Sequence, residues 1–363
     1  MSHMIDESTG QPAIAYVGAT PWHGLGTELR SGCSVEQWTE AAGLDYVVER
    51  APVQFTRKPT PAEIEEFGSD TLMDPTVSFK GRDVLYRTDT GAPLWVASKS
   101  YNIVQPSEVM DFFAKLSEIG GFELETAGAL SEGKRIWGLA RVNDGAPVVG
   151  HDVVRPYVLL ATSYDGTLAT TAKFTAVRVV CHNTLTMSVG AAQGTSFAEG
   201  KMEADTEGKA VSSLVRIPHS TTFDADAVRK SLGIVKDVFE RWLVESALLA
   251  EKQIDDTQFD LFLENLLQPL QPKTVHGRPA KLARECRPFA RIKTIYESNL
   301  IGSDLAGESN RWRALNAVTQ FVDYERGRTA NSRLDGAWFG VGDAIKTRAF
   351  DLLVKTPEFE VVS

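Results

Sequence analysis

Two long apolar, β-branched runs flank a single Asp-Gly step, and no other feature constrains the fold as strongly. Residues 153–163 and 167–175 are separated by Tyr164-Asp165-Gly166. Asp-Gly between such runs predicts an antiparallel hairpin, because a type I′ turn needs positive φ at both central positions. A second pair stands upstream, 122–128 and 134–142, joined through Ser131-Glu132-Gly133. A third, 83–88 and 93–97, turns at Asp89-Thr90-Gly91. Successive hairpins predict an antiparallel sheet from about Val84 to Val180 rather than alternating α/β.

Helices flank and follow this sheet. Pro106 sits where a first-turn proline is tolerated, and Val109, Met110, Phe112, Phe113 and Leu116 give 106–119 an apolar face. In an otherwise irregular stretch over 5–45, Ser34 caps a short helix over 35–42. A buried strand over 174–180 runs into Asn183, which offers a cap to a helix over 184–193, ended by Gly194. Residues 194–222 are polar and glycine-containing and read as a linker. From Asp224 onward, Val228, Leu232, Val235, Phe239, Trp242 and Leu249 recur every three or four positions, the spacing of a long amphipathic helix. Further helices are expected over 256–267, 279–301, 310–325 and 342–353. The fold class is therefore α+β, with a hairpin-rich sheet domain and amino-terminal arm over 1–193, the linker over 194–222 and a helical region over 223–363.

The chain of 363 residues carries a net charge of −10, which argues against a generic nucleic-acid binder. The distribution is uneven. Residues 265–355 hold fifteen Lys/Arg against nine Asp/Glu, so the remainder is the more acidic. No apolar run approaches a membrane span. Three cysteines, Cys33, Cys181 and Cys286, are odd in number and far apart, which fits a reducing cytoplasm rather than a disulfide framework. The opening Met1-Ser-His-Met4 reads as a cloning remnant with native translation starting at Met4, and no signal-peptide core follows.

Motifs for nucleotide or metal are lacking: there is no phosphate-binding Gly-x4-Gly-Lys loop, no His-Glu-x-x-His and no Cys-x-x-Cys. No cofactor is expected. Cys181-His182 suggests a thiol nucleophile, but adjacent residues point to opposite faces of a strand and do not pair with each other. A buried structural thiol is the simpler reading. Trp22-His23 between turn residues reads as an anchor for the amino-terminal arm.

The constellation with most physical content is basic. Residues 273–293 hold seven Lys/Arg and one Glu. Lys281, Arg284, Arg287 and Arg291 are expected to face one side of a helix that Pro288 kinks. Arginine forks match phosphate geometry, and aligned cations displace counterions from a nucleic-acid backbone. Lys173 or Arg178 on the sheet offers a second contact, though strand parity puts those two on opposite faces. The alternative is that these arginines pair with Glu240, Glu245 or Glu251 and tie the two halves together. Arg311-Trp312-Arg313, with Arg326, Arg328 and Arg333, forms a second cluster in which Trp312 either stacks on a base or belongs to the core.

Arg178-Val-Val-Cys-His-Asn-Thr-Leu185 resembles the signature of the phage/plasmid-like protein family, and Pro21-Trp-His-Gly-Leu-Gly-Thr27 resembles that family's opening motif. The resemblance implies occurrence in phages and mobile elements and supplies no chemistry. The order of strands and helices over 122–193 also resembles, in topology, the core of phage single-strand annealing proteins of the Beta, RecT and Erf type. Such proteins work as oligomers without a catalytic triad. The expectation is thus a non-enzymatic phage DNA-metabolism protein of the infected bacterial cytoplasm, which binds single-stranded DNA and promotes annealing and recombination as a homo-oligomer. The competing expectation is an interaction protein acting on a phage or host protein partner.

Overall fold

The computed structural model describes residues 5–18, 24–68, 74–119, 122–178, 184–186, 195–196, 214–231, 235–268, 274–275, 278–279, 282–298, 300–301, 305, 308–327, 336–338 and 340–356. The predicted hairpins are present. β1 (Ile14–Val17), β2 (Thr27–Leu29) and α1 (Val35–Ala41) open the chain. β3 (Val48–Thr56), α2 (Pro61–Phe67), β4 (Thr76–Arg87), β5 (Pro93–Ser98) and α3 (Pro106–Ile119) follow. Then come β6 (Glu123–Leu130), β7 (Arg135–Arg141), β8 (Ala146–Val149), β9 (Asp152–Ser163) and β10 (Thr170–Arg178). The short strands β11 (Thr184–Thr186), β12 (Thr195–Ser196) and β13 (Leu214–Ile217) complete the sheet region.

The strands divide into two main sheets, where the sequence predicted one. The large sheet runs β12-β13-β10-β9-β7-β6-β1-β2, with β8 and β11 attached to β9 and β10, while β3-β4-β5 form a sheet of their own. The split follows from β3, which pairs with β4 along its length and so draws the 83–97 hairpin away from the others. The two central hairpins pair antiparallel as expected, with Phe174 opposite Val158 and Ala127 opposite Gly138. The type I′ argument applies to a different turn from the one predicted. Gly166 has φ +71° but Asp165 does not enter the left-handed region; the loop is held instead by the Ser163 hydroxyl, which donates to the Leu168 carbonyl at 3.0 Å. Positive φ occurs at Ser131, Glu132 and Gly133, where the β6–β7 turn is tight.

Strand alternation sorts the apolar residues onto two faces. Ile136, Ala140, Val158, Leu160 and Phe174 join the main core, and α3 packs there with Phe113 over Gly138, a position where a Cβ would stand 2.4 Å from the ring. Trp137, Leu139, Tyr157 and Leu159 form a smaller cluster on the opposite face, and Trp338 meets Trp137 edge-on at 5.7 Å.

Several short strands were not legible. The stretch over 5–45 contributes β1 and β2, although its helix, with Ser34 as a full capping box, is as predicted. The helix expected over 184–193 is absent at its start: Thr184–Thr186 is a strand, with Leu185 opposite Ala176. Alternating Thr-Leu-Thr beside an open strand edge favours ladder pairing over a local cap. Cys181, His182 and Asn183 lie outside the described residues. The span read as a linker supplies β13, whose Val215 stands opposite Ala172.

The second half is helical, as expected. It comprises α4 (Ala225–Ser231), α5 (Val235–Glu251), α6 (Asp256–Leu267), α7 (Arg287–Glu297), α8 (Arg311–Gln320) and α9 (Val341–Lys355). The helix expected over 279–301 is interrupted. Arg278–Pro279 is extended, Ala283–Glu285 is a 3-10 turn, and Pro288 sits in the first turn of α7. Proline lacks the N–H that a continuing helix would need, so it starts α7 rather than kinking a longer helix. After α8 the chain widens into a π-helical segment over Phe321–Glu325. Trp242 stacks on Phe350 at 6.1 Å and meets Trp312 edge-on at 6.2 Å, at the centre of this layer.

Candidate functional site

α9 carries two buried charges, Asp343 and Lys346, and borders an open groove. Ile345, Ala349, Phe350 and Leu353 turn one side of the helix into the core. Asp343 and Lys346 lie on that same side. Lys173 Nζ, reaching from β10, donates to Asp343 Oδ1 at 2.6 Å and to the Trp338 carbonyl at 2.9 Å. One turn on, Lys346 Nζ donates to Asp323 Oδ1 in the π-helical segment at 2.9 Å. Lys173 is 4% and Lys346 1% exposed. Burial pushes the Lys173 ammonium below the usual lysine value; Asp343 opposes this, while Lys346 and Arg216 add to it.

Outside this pair of ion pairs, a groove of about 550 Å³ runs between α9 and β13. Its charged lining is Arg216, Asp343, Arg348, Asp351 and Lys355. Asp343 is held by Lys173, and Lys355 Nζ lies 3.2 Å from Asp351 Oδ1. That leaves Arg216 and Arg348, both exposed, with no carboxylate at ion-pair distance among the described residues. Arg348 Nη2 donates to the Asn265 carbonyl at 3.0 Å, which braces the fork from behind. Two guanidinium groups on one open groove are suited to bidentate recognition of phosphate.

The predicted basic residues are distributed differently from the sequence expectation. Lys173 is buried in its ion pair with Asp343, so it is a structural cation and not a phosphate ligand at the surface. Arg178 ends β10, its backbone opposite Val154. Lys281 lies outside the described residues. Arg284, Arg287 and Arg291 do not share one helical face, because Arg284 belongs to the 3-10 turn that precedes α7. Arg284 pairs with Glu264. Arg291 clamps Glu325 through Nε at 2.6 Å and Nη2 at 2.7 Å. These arginines therefore tie α6, α7 and the π-helical segment together, with partners other than the expected Glu240, Glu245 and Glu251. Arg287 is exposed at the start of α7.

Of the second basic cluster, Arg311, Trp312 and Arg313 are internal, while Arg328 and Arg333 lie outside the described residues. Trp312 is fully buried. Arg311 Nη1 donates to the Leu353 carbonyl at 2.7 Å, closing the end of α9, and Arg313 Nε donates to the Tyr296 carbonyl at 2.8 Å. None of these side chains is placed to meet a base.

The groove arginines are far apart in sequence, which is why no cluster marked them. A local signal existed for Arg216: in Leu214-Val-Arg-Ile217, Val215 and Ile217 are buried, so the residue between them must point outward. Among the described residues no group of three or more His, Cys, Asp or Glu is arranged to hold a metal ion. No helix among them is long and apolar enough to cross a membrane.

A largely antiparallel sheet with packed helices, and a groove beside β13 that exposes two arginines, define an α+β protein. The model of the family described as "Domain of unknown function (DUF932)" matches residues 93–198 and 204–338, and the chain belongs to that family. The match spans β5 to Trp338, so Arg216 lies inside it while Arg348 and the β3–β4 hairpin lie outside. No curated protein and no solved structure matches the chain.

Proposed function

We propose that this chain binds single-stranded nucleic acid by its phosphate backbone, in the groove between α9 and β13. The observation that carries this reading is the pair Arg216 and Arg348, exposed on one groove and without a carboxylate partner among the described residues. No aromatic residue is among those lining the groove. A strand seated there is held by phosphate contacts, its bases are left outward, and contact is independent of sequence. Outward bases are what strand annealing requires. The proposed role is a phage DNA-metabolism protein that promotes annealing as an oligomer in the cytoplasm of the infected bacterium. The acidic remainder of the chain confines binding to the groove.

Anisotropy of a labelled single-stranded oligonucleotide tests this. The wild type is expected to bind, and Arg216→Glu with Arg348→Glu to abolish binding without lowering the thermal midpoint, since both side chains are exposed. Equal binding by the double variant overturns the reading. A second reading, action on a phage or host protein, is favoured by Val244 and Leu248, which stand one turn apart on α5 at 60% and 46% exposure.

A further inference from the structure

β3 and β4 extend outward as a two-stranded ribbon. The inner half carries buried side chains, among them Val48, Asp83, Leu85 and Arg87. Over 51–56 and 76–82 every residue is half-buried or exposed. The change falls at an irregularity in the ladder. The register shifts between Pro52 and Gln54, and Gly81 on the partner strand takes φ +84°, with nothing near its Cβ position. Extra residues in one strand bend it and break the pairing locally, and glycine supplies the left-handed conformation.

Beyond this bulge the ribbon alternates cleanly. Phe55 stands opposite Val77, Gln54 opposite Ser78 and Thr56 opposite Thr76. Phe55, Val77 and Phe79 therefore share one face, and Gln54, Thr56, Thr76 and Ser78 share the other. Phe55 is 46% and Phe79 53% exposed, and neither belongs to a core cluster of the chain. Alternation of this kind belongs to a ribbon that covers one face, and a two-stranded ribbon is marginal when it stands alone.

The charges at its two ends indicate the cover. α2 follows β3 and precedes β4, so it forms the tip, and it exposes Glu65 and Glu66. At the inner end of the same ribbon, in the irregular stretch between Ser78 and Asp83 where Gly81 breaks the alternation, Lys80 and Arg82 are exposed. None of the four is in an ion pair among the described residues. A twofold antiparallel packing of two ribbons sets the acidic tip of each against the basic inner end of the other, while a parallel packing sets like charges together. We propose that the apolar face of the β3–β4 ribbon is the dimerisation surface of this protein, its occupant the same face of a second copy. This inference is independent of nucleic-acid binding, and its residues do not overlap the groove.

Light scattering after size exclusion, on the full chain without nucleic acid, tests it. The wild type is expected at twice the chain mass. Phe55→Ser with Phe79→Ser is expected to weaken dimerisation roughly a hundredfold, and circular dichroism should show an unchanged fold because both side chains are exposed. Lys80→Glu with Arg82→Glu should weaken it as well, and adding Glu65→Lys with Glu66→Lys should restore it. A monomeric wild type overturns the proposal, as does a dimer that survives the phenylalanine substitutions. Failure of the charge reversal to restore the dimer overturns the antiparallel arrangement.

Discussion

Trp312 Nε1 donates a 2.7 Å hydrogen bond to Asp152 Oδ2, and neither residue has measurable exposure. The bond joins α8 to the first residue of β9 and so fastens the helical layer to the sheet. A continuous apolar core runs through both, from Ala15 on β1 to Leu353 on α9. Trp312→Phe keeps most of the ring volume and removes the donor, which should cost about 1.5–3 kcal/mol for a bond to a charged group. Thermal unfolding should remain one transition at a lower midpoint. An unchanged midpoint, or separate transitions for sheet and helices, would contradict this account.

The Lys173–Asp343 pair should respond asymmetrically to substitution. Asp343→Ala leaves a buried ammonium without its carboxylate and should cost about 3–5 kcal/mol. Lys173→Met together with Asp343→Leu removes both desolvation penalties and should fall within roughly 1–2 kcal/mol of wild type. The pH dependence has a definite sign. The folded value of Lys173 lies below the unfolded value near 10.5, so between the two the native state binds fewer protons. Stability contributed by this group therefore rises with pH through that window, and the rise should vanish in Lys173→Met. Chemical denaturation at stepped pH values measures the difference.

Glu63 accepts hydrogen bonds from both ends of the Arg57 guanidinium at 2.8 Å and from the Thr60 N–H at 2.7 Å. The Arg57 contact, with the Thr60 bonds behind it, lowers its pKa from 4.5 to about 2. A lowered folded value means a contribution present above the ordinary glutamate range and lost as pH falls through about 2. Followed by NMR at about pH 3.5, below the ordinary range for glutamate, the Glu63 carboxyl should still be ionised. Arg57→Ala should raise its pKa toward the ordinary range, with the Thr60 bonds still holding it below. A wild-type carboxyl already protonated at that pH would refute the capping geometry.

Sequence patterns reached those parts of the fold that depend on local chemistry. Ser34 with Gln37 and Asp255 with Gln258 are complete capping boxes, and the helices behind them begin at Val35 and Asp256. The central hairpins were legible because long β-branched runs flank glycine turns. Strands of two to four residues were not legible, since β11 and β13 are strands only because β10 presents an edge to them. The proposed groove was not legible for a related reason. Density of arginine along the chain pointed to 273–293, but three-dimensional pairing neutralises Arg284 and Arg291, while Arg216 and Arg348 come together only through the packing of α9 on the sheet.

The central claim, phosphate binding by the α9–β13 groove, is tested most directly by the salt dependence of single-stranded oligonucleotide affinity. Each phosphate neutralised contributes about −0.7 to the slope of log affinity against log salt. The wild type should show a steep negative slope, and Arg216→Ala with Arg348→Ala should make it shallower by roughly 1.4, whatever the base sequence. The same change from Arg284→Ala with Arg291→Ala, or a wild type with no salt-sensitive binding, would contradict the assignment.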